Sequence, residues 1–382
     1  MRKFLFSLII IGLIFSSIWF GLSFNYTKEN IHSKTLYISN KIDPPIEIYN
    51  NDDLLSYNFS GSGTEEDPYR IEYLNIITSN NYGIVLQNIT KYILIQNNNV
   101  NAFFGAIRIY NTGPGTIIIT NNTFIGGELG IFVAISPQIK ILNNTFSDSH
   151  HGININDSPY SLIENNTLTK NHVGIRVHIN VSFSKISNNH IINNYDGIWI
   201  TNSRNILFEN NVIRNNVNGF LLESINEEFA SQNCVIRNNL FENNTSFALI
   251  LTAFMEQSFT RQNLVYHNSF VNNNPNGQSQ AKDVGSHNRW YNESLKEGNY
   301  WSDWLGFLPY DISGSDNTKD MFPLEAPLHS TITKIPTLFK GRIALVISLS
   351  IGIPVLLAIS ILIVKKFKKR KLEKMEKMNE KG

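Results

Sequence analysis

The sequence predicts an all-β fold: a right-handed parallel β-helix solenoid of about eight coils of 22–29 residues, followed by a C-terminal transmembrane helix. Three observations predict the solenoid: a recurring Asn-Asn-x-apolar signal, two apolar columns in step with it, and an alternating run after each signal. Repeats of this length are typical of solenoids, in which each unit contacts only its neighbours. The second position of the signal holds Asn98, Asn122, Asn144, Asn166, Asn189, Asn211, Asn239 and Asn268.

The residues around each signal predict strands with one buried face. After each signal comes a small residue and then an alternating apolar run, as in Gly152-Ile-Asn-Ile and Gly197-Ile-Trp-Ile. Alternation with a period of two is typical of a β-strand. The apolar columns are Ile95, Ile119, Ile141, Ile163, Ile186, Phe208, Ile236 and Val265 before the signal, and Val100, Phe124, Phe146, Leu168, Ile191, Ile213, Phe241 and Phe270 after it.

A leucine-rich horseshoe has a similar repeat length and is the alternative fold. The repeats lack the Leu-x-x-Leu-x-Leu spacing and any segment with helical periodicity, and they are rich in the β-branched residues that favour strands. We therefore expect β-helix coils that lie about 4.8 Å apart.

The Asn column is interpreted as scaffold. Asn tolerates the left-handed conformation of a sharp turn, and its amide can bond to the equivalent amide of the next coil. Sequons that lie outside the column, at Asn25, Asn58, Asn180 and Asn292, indicate a glycoprotein.

The two ends of the chain predict a surface protein of the cell membrane. Residues 1–24 contain Arg2-Lys3 and an uncharged run and are a signal peptide or a retained signal anchor, so the protein is single-pass or two-pass. Residues 343–364 carry no charge and are long enough to cross a bilayer. The basic residues that follow place the tail, 365–382, in the cytoplasm and the β-helix outside. The remaining predicted segments are an N-terminal cap with the first coil at 25–82, the repeats at 83–274, a C-terminal cap at 275–330 and a juxtamembrane stalk at 331–342.

The charge distribution excludes nucleic acid as a partner. The formal net charge of the chain is +1, but the tail from Lys365 onward carries nine basic and three acidic residues, which leaves −5 for the rest. An acidic ectodomain is a poor phosphate binder, whereas the basic tail suits anionic lipid headgroups. The single cysteine, Cys234, excludes an internal disulfide.

Several motifs outside the repeats resemble the NosD-type right-handed β-helix family. They include the run from Gly61 to Glu72, Gln280-Ala-Lys-Asp, Asn288-Arg-Trp and Gly298-Asn-Tyr-Trp-Ser-Asp, and the resemblance spans roughly residues 60 to 325. It implies a pectin-lyase-like fold and, through the protein that names the family, a link to copper delivery. Copper carriers use clustered sulfur or imidazole ligands. The five methionines are scattered or cytoplasmic, so we expect no metal and no cofactor.

The outward positions of the alternating strands predict a binding face. Aromatic rings beside guanidinium and amide groups are suited to a polysaccharide or to neighbouring surface-layer proteins, although an ordinary solvated sheet face gives a similar pattern. Enlarged loops after this strand favour the binding interpretation, because insertions in solenoids gather on the binding face. The predicted ligand-binding residues are Arg108, Tyr110, Phe132, Asn154, Asn156, Trp199 and Glu223.

A cluster of histidines supports two alternative hypotheses. Polysaccharide lyases and uronate epimerases pair a base with a group that neutralises the sugar carboxylate. His150, His178, Arg176 and Asp196 are the candidates for these roles. His150 and His172 also occupy one column in consecutive coils and, with a carboxylate, approach a zinc-like ligand set. A non-enzymatic binding or surface-structural module remains the leading prediction.

Overall fold

Each complete coil contributes one strand to each of three parallel sheets, here named A, B and C, so the predicted parallel β-helix is confirmed. This is a computed structural model, which describes residues 41–225, 227, 230–253, 259–314 and 318–327. Sheet A has 11 strands, sheet B 9 and sheet C 10. Within the described part, helical structure is confined to the 3-10 turn Asp53–Tyr57, which inserts Leu54 into the core.

From Tyr82–Gln87 to Leu249–Ala253, the strands of sheet A are longer than those of the other two sheets. Sheet A consists of Ile46–Ile48, Tyr82–Gln87, Gly105–Tyr110, Leu129–Ala134, His151–Asn156, Val173–Val177, Asp196–Thr201, Asn218–Ser224, Leu249–Ala253, Ala281–Asp283 and Ser313–Gly314. Sheet B consists of Tyr69–Glu72, Ile93–Gln96, Ile117–Thr120, Lys140–Leu142, Leu162–Glu164, Lys185–Ser187, Leu207–Glu209, Val235–Arg237 and Leu264–Tyr266. Sheet C consists of Asn75–Thr78, Asn99–Ala102, Thr123–Ile125, Thr145–Ser147, Thr167–Thr169, His190–Ile192, Val212–Arg214, Leu240–Glu242, Ser269–Val271 and Tyr300–Trp301.

Equivalent residues of successive coils pair directly, as the sequence columns predict. Ile141 pairs with Ile119 and Ile163 in sheet B. Phe146 pairs with Phe124 and Leu168 in sheet C. These columns are buried in one continuous apolar core. Because each large side chain rests on its counterpart one coil away, the core is filled by ladders rather than by contacts between distant segments.

The two Asn positions of each signal have different roles, which corrects the prediction that one column serves both. The first Asn adopts the left-handed conformation, with φ between 55° and 57° from Asn97 to Asn238. The second Asn is buried, and its Nδ2 donates to Oδ1 of the next coil's Asn at 2.9–3.1 Å. A further buried ladder, which the sequence analysis did not identify, joins Asn171, Asn194, Asn216, Asn244 and Asn273.

Aromatic rings extend the core beyond the last coil. Trp301 stacks on Phe270 at 4.1 Å between ring centroids, and Tyr310 stacks on Trp301 at 4.0 Å. Asp320 accepts hydrogen bonds from Trp301 Nε1 at 2.9 Å and from the backbone amide of Asn299 at 2.7 Å. Tyr310–Asp311 and Lys319–Asp320 form a small antiparallel pair beside this stack.

In the part of the chain that the structure describes, no helix is long and apolar enough to cross a membrane. The predicted signal segment at 1–24, the stalk at 331–342, the transmembrane segment at 343–364 and the tail at 365–382 all lie outside the described residues. The predicted segment boundaries stay predictions.

Candidate functional site

The outer face of sheet A carries the predicted binding residues in two aligned columns. In the first column, Arg108 pairs with Phe132, Phe132 with Asn154, Asn154 with Arg176, and Arg176 with Trp199. The second column includes Tyr110, Asn156 and Glu223, with Tyr110 and Asn156 both paired to Ala134 and Glu223 paired to Thr201. Because alternate side chains of a strand share one face, both columns point away from the core.

Arg176 and Trp199 form the centre of this face. The guanidinium carbon of Arg176 lies 3.8 Å from the centroid of the Trp199 ring, one coil away. Burial lowers the pKa of Arg176 to about 10, while the charges of Glu223 and Asp196 act in the opposite direction. Arg176 therefore stays protonated at neutral pH, and its charge is held against an aromatic surface.

Neither Arg176 nor Arg108 takes part in the ion pairs found among the described residues, although the carboxylates of Glu223 and Asp196 are near enough to Arg176 to act on its pKa. The nitrogen Nη1 of Arg176 approaches the carbonyl oxygen of Trp199 at 3.3 Å. Arg108 donates to Oε1 of Gln87 at 2.9 Å and lies 5.2 Å from the Tyr110 ring centroid. Both guanidinium groups thus keep donors for an external anion.

His178 and Glu223 adjoin the Arg176–Trp199 pair. His178 Nδ1 lies 2.8 Å from Oγ1 of Thr201 and 3.4 Å from Nη2 of Arg176. Burial and the charge of Arg176 lower the pKa of His178, so its imidazole is neutral at pH 7. Trp199 Nε1 donates to Oε2 of Glu223 at 3.1 Å, which fixes the indole orientation.

Asp196 and His151 lie at the other edge of the same face. Asp196 is buried, accepts a hydrogen bond from Asn218 at 2.8 Å, and has its pKa raised by burial. Burial also lowers the pKa of His151 to about 4, with further contributions from His150, Arg176 and His172. Asn154 Nδ2 lies 3.2 Å from Nδ1 of His151, so these two side chains share the face. His151 was not among the residues predicted from the sequence.

His150 does not belong with the other predicted catalytic residues. Its ring stacks on His172 at 4.6 Å between centroids, and His172 stacks on Tyr195 at 4.9 Å, in the turn that precedes the sheet A strands. Six residues of extended chain, about 20 Å, separate this turn column from the column of His178. One sugar ring cannot contact both histidines. The structure brings together Arg176, His178 and the vicinity of Asp196, whereas His150 lies in the turn column, with its ring centroid 4.5 Å from that of His151 at the edge of the face.

A hollow with a volume of about 530 Å³ lies at the start of the first column. Arg108 and Tyr82 line it together with Tyr49 and Glu47 of the N-terminal coil. Glu47 pairs with Val85, the residue that precedes Arg108 in the column. The column of Arg108 therefore continues through Val85 to Glu47, two strands further toward the N-terminus.

The described residues do not fit a copper or zinc site. They contain no group of three or more His, Cys, Asp or Glu side chains placed to hold a metal ion. Cys234 is fully buried, and burial raises the pKa of its thiol to about 12, so it offers no thiolate. The rings of His150 and His172 are stacked face to face with an interplanar angle of 4°, so their in-plane lone pairs do not converge.

A family described as "Periplasmic copper-binding protein (NosD)" matches residues 27–195 and 105–306. No curated protein matches the chain. Two similar solved structures are A-modules of Azotobacter vinelandii mannuronan C-5 epimerases, each 14% identical over 57% of this chain. For AlgE6 the TM-score is 0.44 and the chain spans 60% of the epimerase module; for AlgE4 the values are 0.36 and 74%. Similarity at this level carries no information about activity.

Proposed function

This chain belongs to the NosD family, and we propose that it is a membrane-anchored extracytoplasmic β-helix that binds acidic polysaccharide along the outer face of sheet A. The family's description is periplasmic, which agrees with a β-helix outside the cytoplasm. The membrane anchor is the uncharged run at 343–364, and the basic residues after it favour a cytoplasmic tail. The proposal assigns no copper, because the described residues hold no suitable ligand set.

The observation that carries the proposal is the guanidinium of Arg176, held 3.8 Å from the Trp199 ring centroid without an ion-pair partner. A guanidinium on a rigid aromatic support presents fixed N–H donors, which match the planar geometry of a carboxylate. The half-buried ring of Phe132 in the same column suits the C–H faces of a pyranose. Uronic acids, which combine a carboxylate with such faces, are therefore the ligand class that best fits this column.

The spacing of the two unpaired arginines favours a polymer over a single sugar. Arg108 and Arg176 are three coils apart in one column, which corresponds to about 14 Å. Phe132 and Asn154 lie between them and are half-buried. A chain that contacts both arginines binds by two linked contacts, so its affinity rises with length until the span is bridged.

The acidic net charge of the ectodomain does not oppose this proposal. Charges that are exposed and further apart than about 8 Å are largely screened at physiological ionic strength. The local groups on sheet A therefore decide which ligands bind. Among the predicted binding residues, Glu223 is the least available to a ligand, because it is buried and accepts a hydrogen bond from the indole N–H of Trp199.

The test is binding of size-defined oligouronates to the full-length protein in lipid nanodiscs, measured by calorimetry. Arg176→Met keeps the aliphatic stem and removes the charge, and we expect affinity to fall about 10- to 100-fold, as for loss of a charged hydrogen bond. Lys140→Met is the matched control, since Lys140 is exposed on sheet B. Equal affinities for neutral dextran and oligouronate, or an unchanged affinity in Arg176→Met, would refute the proposal.

A polysaccharide lyase or uronate epimerase is the second candidate, and the neutral His178 beside Arg176 favours it. A base must remove the proton next to the sugar carboxylate while a cation neutralises that carboxylate. An arginine nitrogen can only donate, so its contact with His178 is a hydrogen bond only if Nδ1 accepts. Nε2 then carries the hydrogen and is a donor, which suits binding better than proton removal.

Enzymatic activity is tested separately from binding. Incubation with polyuronate is followed by absorbance for an unsaturated product and by proton NMR for epimerised residues. Product formation that disappears in His178→Gln would establish the enzyme. Retention of unchanged polymer by the wild-type protein supports the binding module.

A further inference from the structure

Three large apolar side chains project into solvent from one short loop in the C-terminal cap. Leu305, Phe307 and Leu308 are 69%, 71% and 64% exposed. Exposed single apolar residues are common, but three within four residues form a patch of the kind that marks an interaction site. No described residue covers these three side chains.

The loop is held in shape by contacts at its base. Trp304 packs against the apolar core, and its Nε1 donates to the carbonyl oxygen of Leu308 at 2.6 Å. The backbone amide of Trp304 donates to the carbonyl of Trp301 at 3.1 Å. Gly306 has a φ of 91°, which permits the reversal at the tip. The exposure of the apolar tip is thus a property of an ordered loop.

The charges that flank the loop are bound to other protein groups. Asp303 accepts hydrogen bonds from Gln280 at 2.7 Å and from the Tyr310 hydroxyl at 3.1 Å. Asp311 forms an ion pair with Lys319 at 2.7 Å. The segment between these two acids, residues 304–310, contains no charged residue. Its tip is therefore suited to an apolar environment.

The position of the loop in the chain indicates what its apolar tip contacts. The loop follows Trp301, which stacks on the last coil, and the described chain ends at residue 327. Only 15 residues separate that point from the apolar run at 343–364, and they reach at most about 50 Å. The anchor at 343–364 therefore joins the C-terminal end of the sheets, from which the first strand of sheet A lies ten strand spacings, about 48 Å, along the stack.

We infer that the loop of Leu305, Phe307 and Leu308 inserts into the interface of the membrane that anchors the chain. This inference rests on the membrane anchor of the proposed function and not on the polysaccharide. Apolar side chains at a bilayer surface are removed from water, and Trp304 at the base is a residue type favoured at that depth. The contact would hold the C-terminal end of the β-helix against the lipid.

The test places a fluorophore at the loop tip of the full-length protein in liposomes. Phe307→Cys is labelled with an environment-sensitive dye, while the native Cys234 is fully buried and stays unlabelled in the folded protein. Leu55→Cys is the matched control, because Leu55 is 77% exposed in the 3-10 turn at the opposite end. Spin-labelled lipids should quench the dye at position 307 several-fold more than the dye at position 55, with a blue-shifted emission.

Equal quenching at both positions would overturn the inference. Self-quenching at position 307 without quenching by lipid would identify a second copy of the chain as the occupant and would also overturn it. Oligouronate binding is measured in the same liposomes, so loss of sugar binding and loss of lipid contact are distinguished. Replacing Leu305, Phe307 and Leu308 by serine should leave sugar binding intact.

Discussion

Glycine should have very different effects on stability at the two neighbouring Asn residues of one signal. Asn166→Gly removes a buried side chain of the amide ladder, whereas Asn165→Gly changes a residue with a φ of 57°. Glycine adopts that φ without steric cost. We therefore expect Asn165→Gly to change stability by only a few tenths of a kcal/mol and Asn166→Gly to be strongly destabilising.

The magnitude for Asn166 follows from its contacts. Its Nδ2 donates to the carbonyl of Ile141 at 2.9 Å and to Oδ1 of Asn189 at 3.0 Å. Its Oδ1 accepts from the backbone amide of Asn144 at 2.9 Å and from Nδ2 of Asn144 at 3.1 Å. Truncation leaves at least the Asn144 amide and the Ile141 carbonyl buried without this partner. At about 1–3 kcal/mol for each unsatisfied group, the expected cost is about 2–6 kcal/mol.

The assay is urea unfolding of both variants and the wild type, followed by circular dichroism of the β signal. The urea midpoints are compared only where the dependence of the free energy of unfolding on urea is the same, since repeat proteins can lose single-step cooperativity. Equal midpoints for Asn165→Gly and Asn166→Gly would refute the assignment of the turn to the first Asn and of the ladder to the second.

Three further predictions concern other parts of the molecule. The pKa of His151 is about 4 in the folded protein, below the usual 6.5, so the unfolded chain binds more protons between these values and stability falls as pH drops from 6.5 to 4. Between pH 6.5 and 4 the urea midpoint of His151→Gln should fall less than that of the wild type. The same pH dependence in both proteins would contradict the idea that burial lowers the pKa of His151. A Cβ at Gly298 would lie 1.8 Å from Oδ1 of Asp320, so Gly298→Ala should displace the carboxylate that binds Trp301 and lower the melting temperature, with near-ultraviolet dichroism reporting the altered tryptophan environment. The Cys234 thiol, with a pKa of about 12, should react with a thiol reagent only after unfolding, and rapid labelling of the native protein at pH 8 would disprove its burial.

Much of the candidate face was predictable from sequence, since Arg108, Phe132, Asn154, Arg176 and Trp199 occur at equivalent points of the repeat and do pair in the structure. The stacking of Arg176 on Trp199 was not predictable, because pairing fixes which residues are adjacent but not the rotamers they adopt. The lack of an ion pair at Arg176 likewise depends on where the flanking acids point.

The histidines show a different limit. Counting along the repeat correctly aligned His150 with His172, yet the strand of sheet A begins at His151. The alternation is interrupted at Gly152, because Gly152 and Ile153 are both buried and a Cβ on Gly152 would meet Leu168 of the core, so His151 faces outward. The repeat therefore pointed to His150 in the turn and to His178 beside Arg176, but not to His151 at the edge of the sheet face.

The sequence by itself determined the parallel β-helix, the stacking partners and the buried apolar columns, since each coil contacts only its neighbours and equivalent positions must repeat in kind. Only the tertiary structure decided which Asn of each pair turns the chain and which bonds in the core, which histidine reaches the sheet face, and which apolar loop stays uncovered in the C-terminal cap. These depend on backbone angles at the turns and on side-chain directions, which a one-dimensional repeat does not specify.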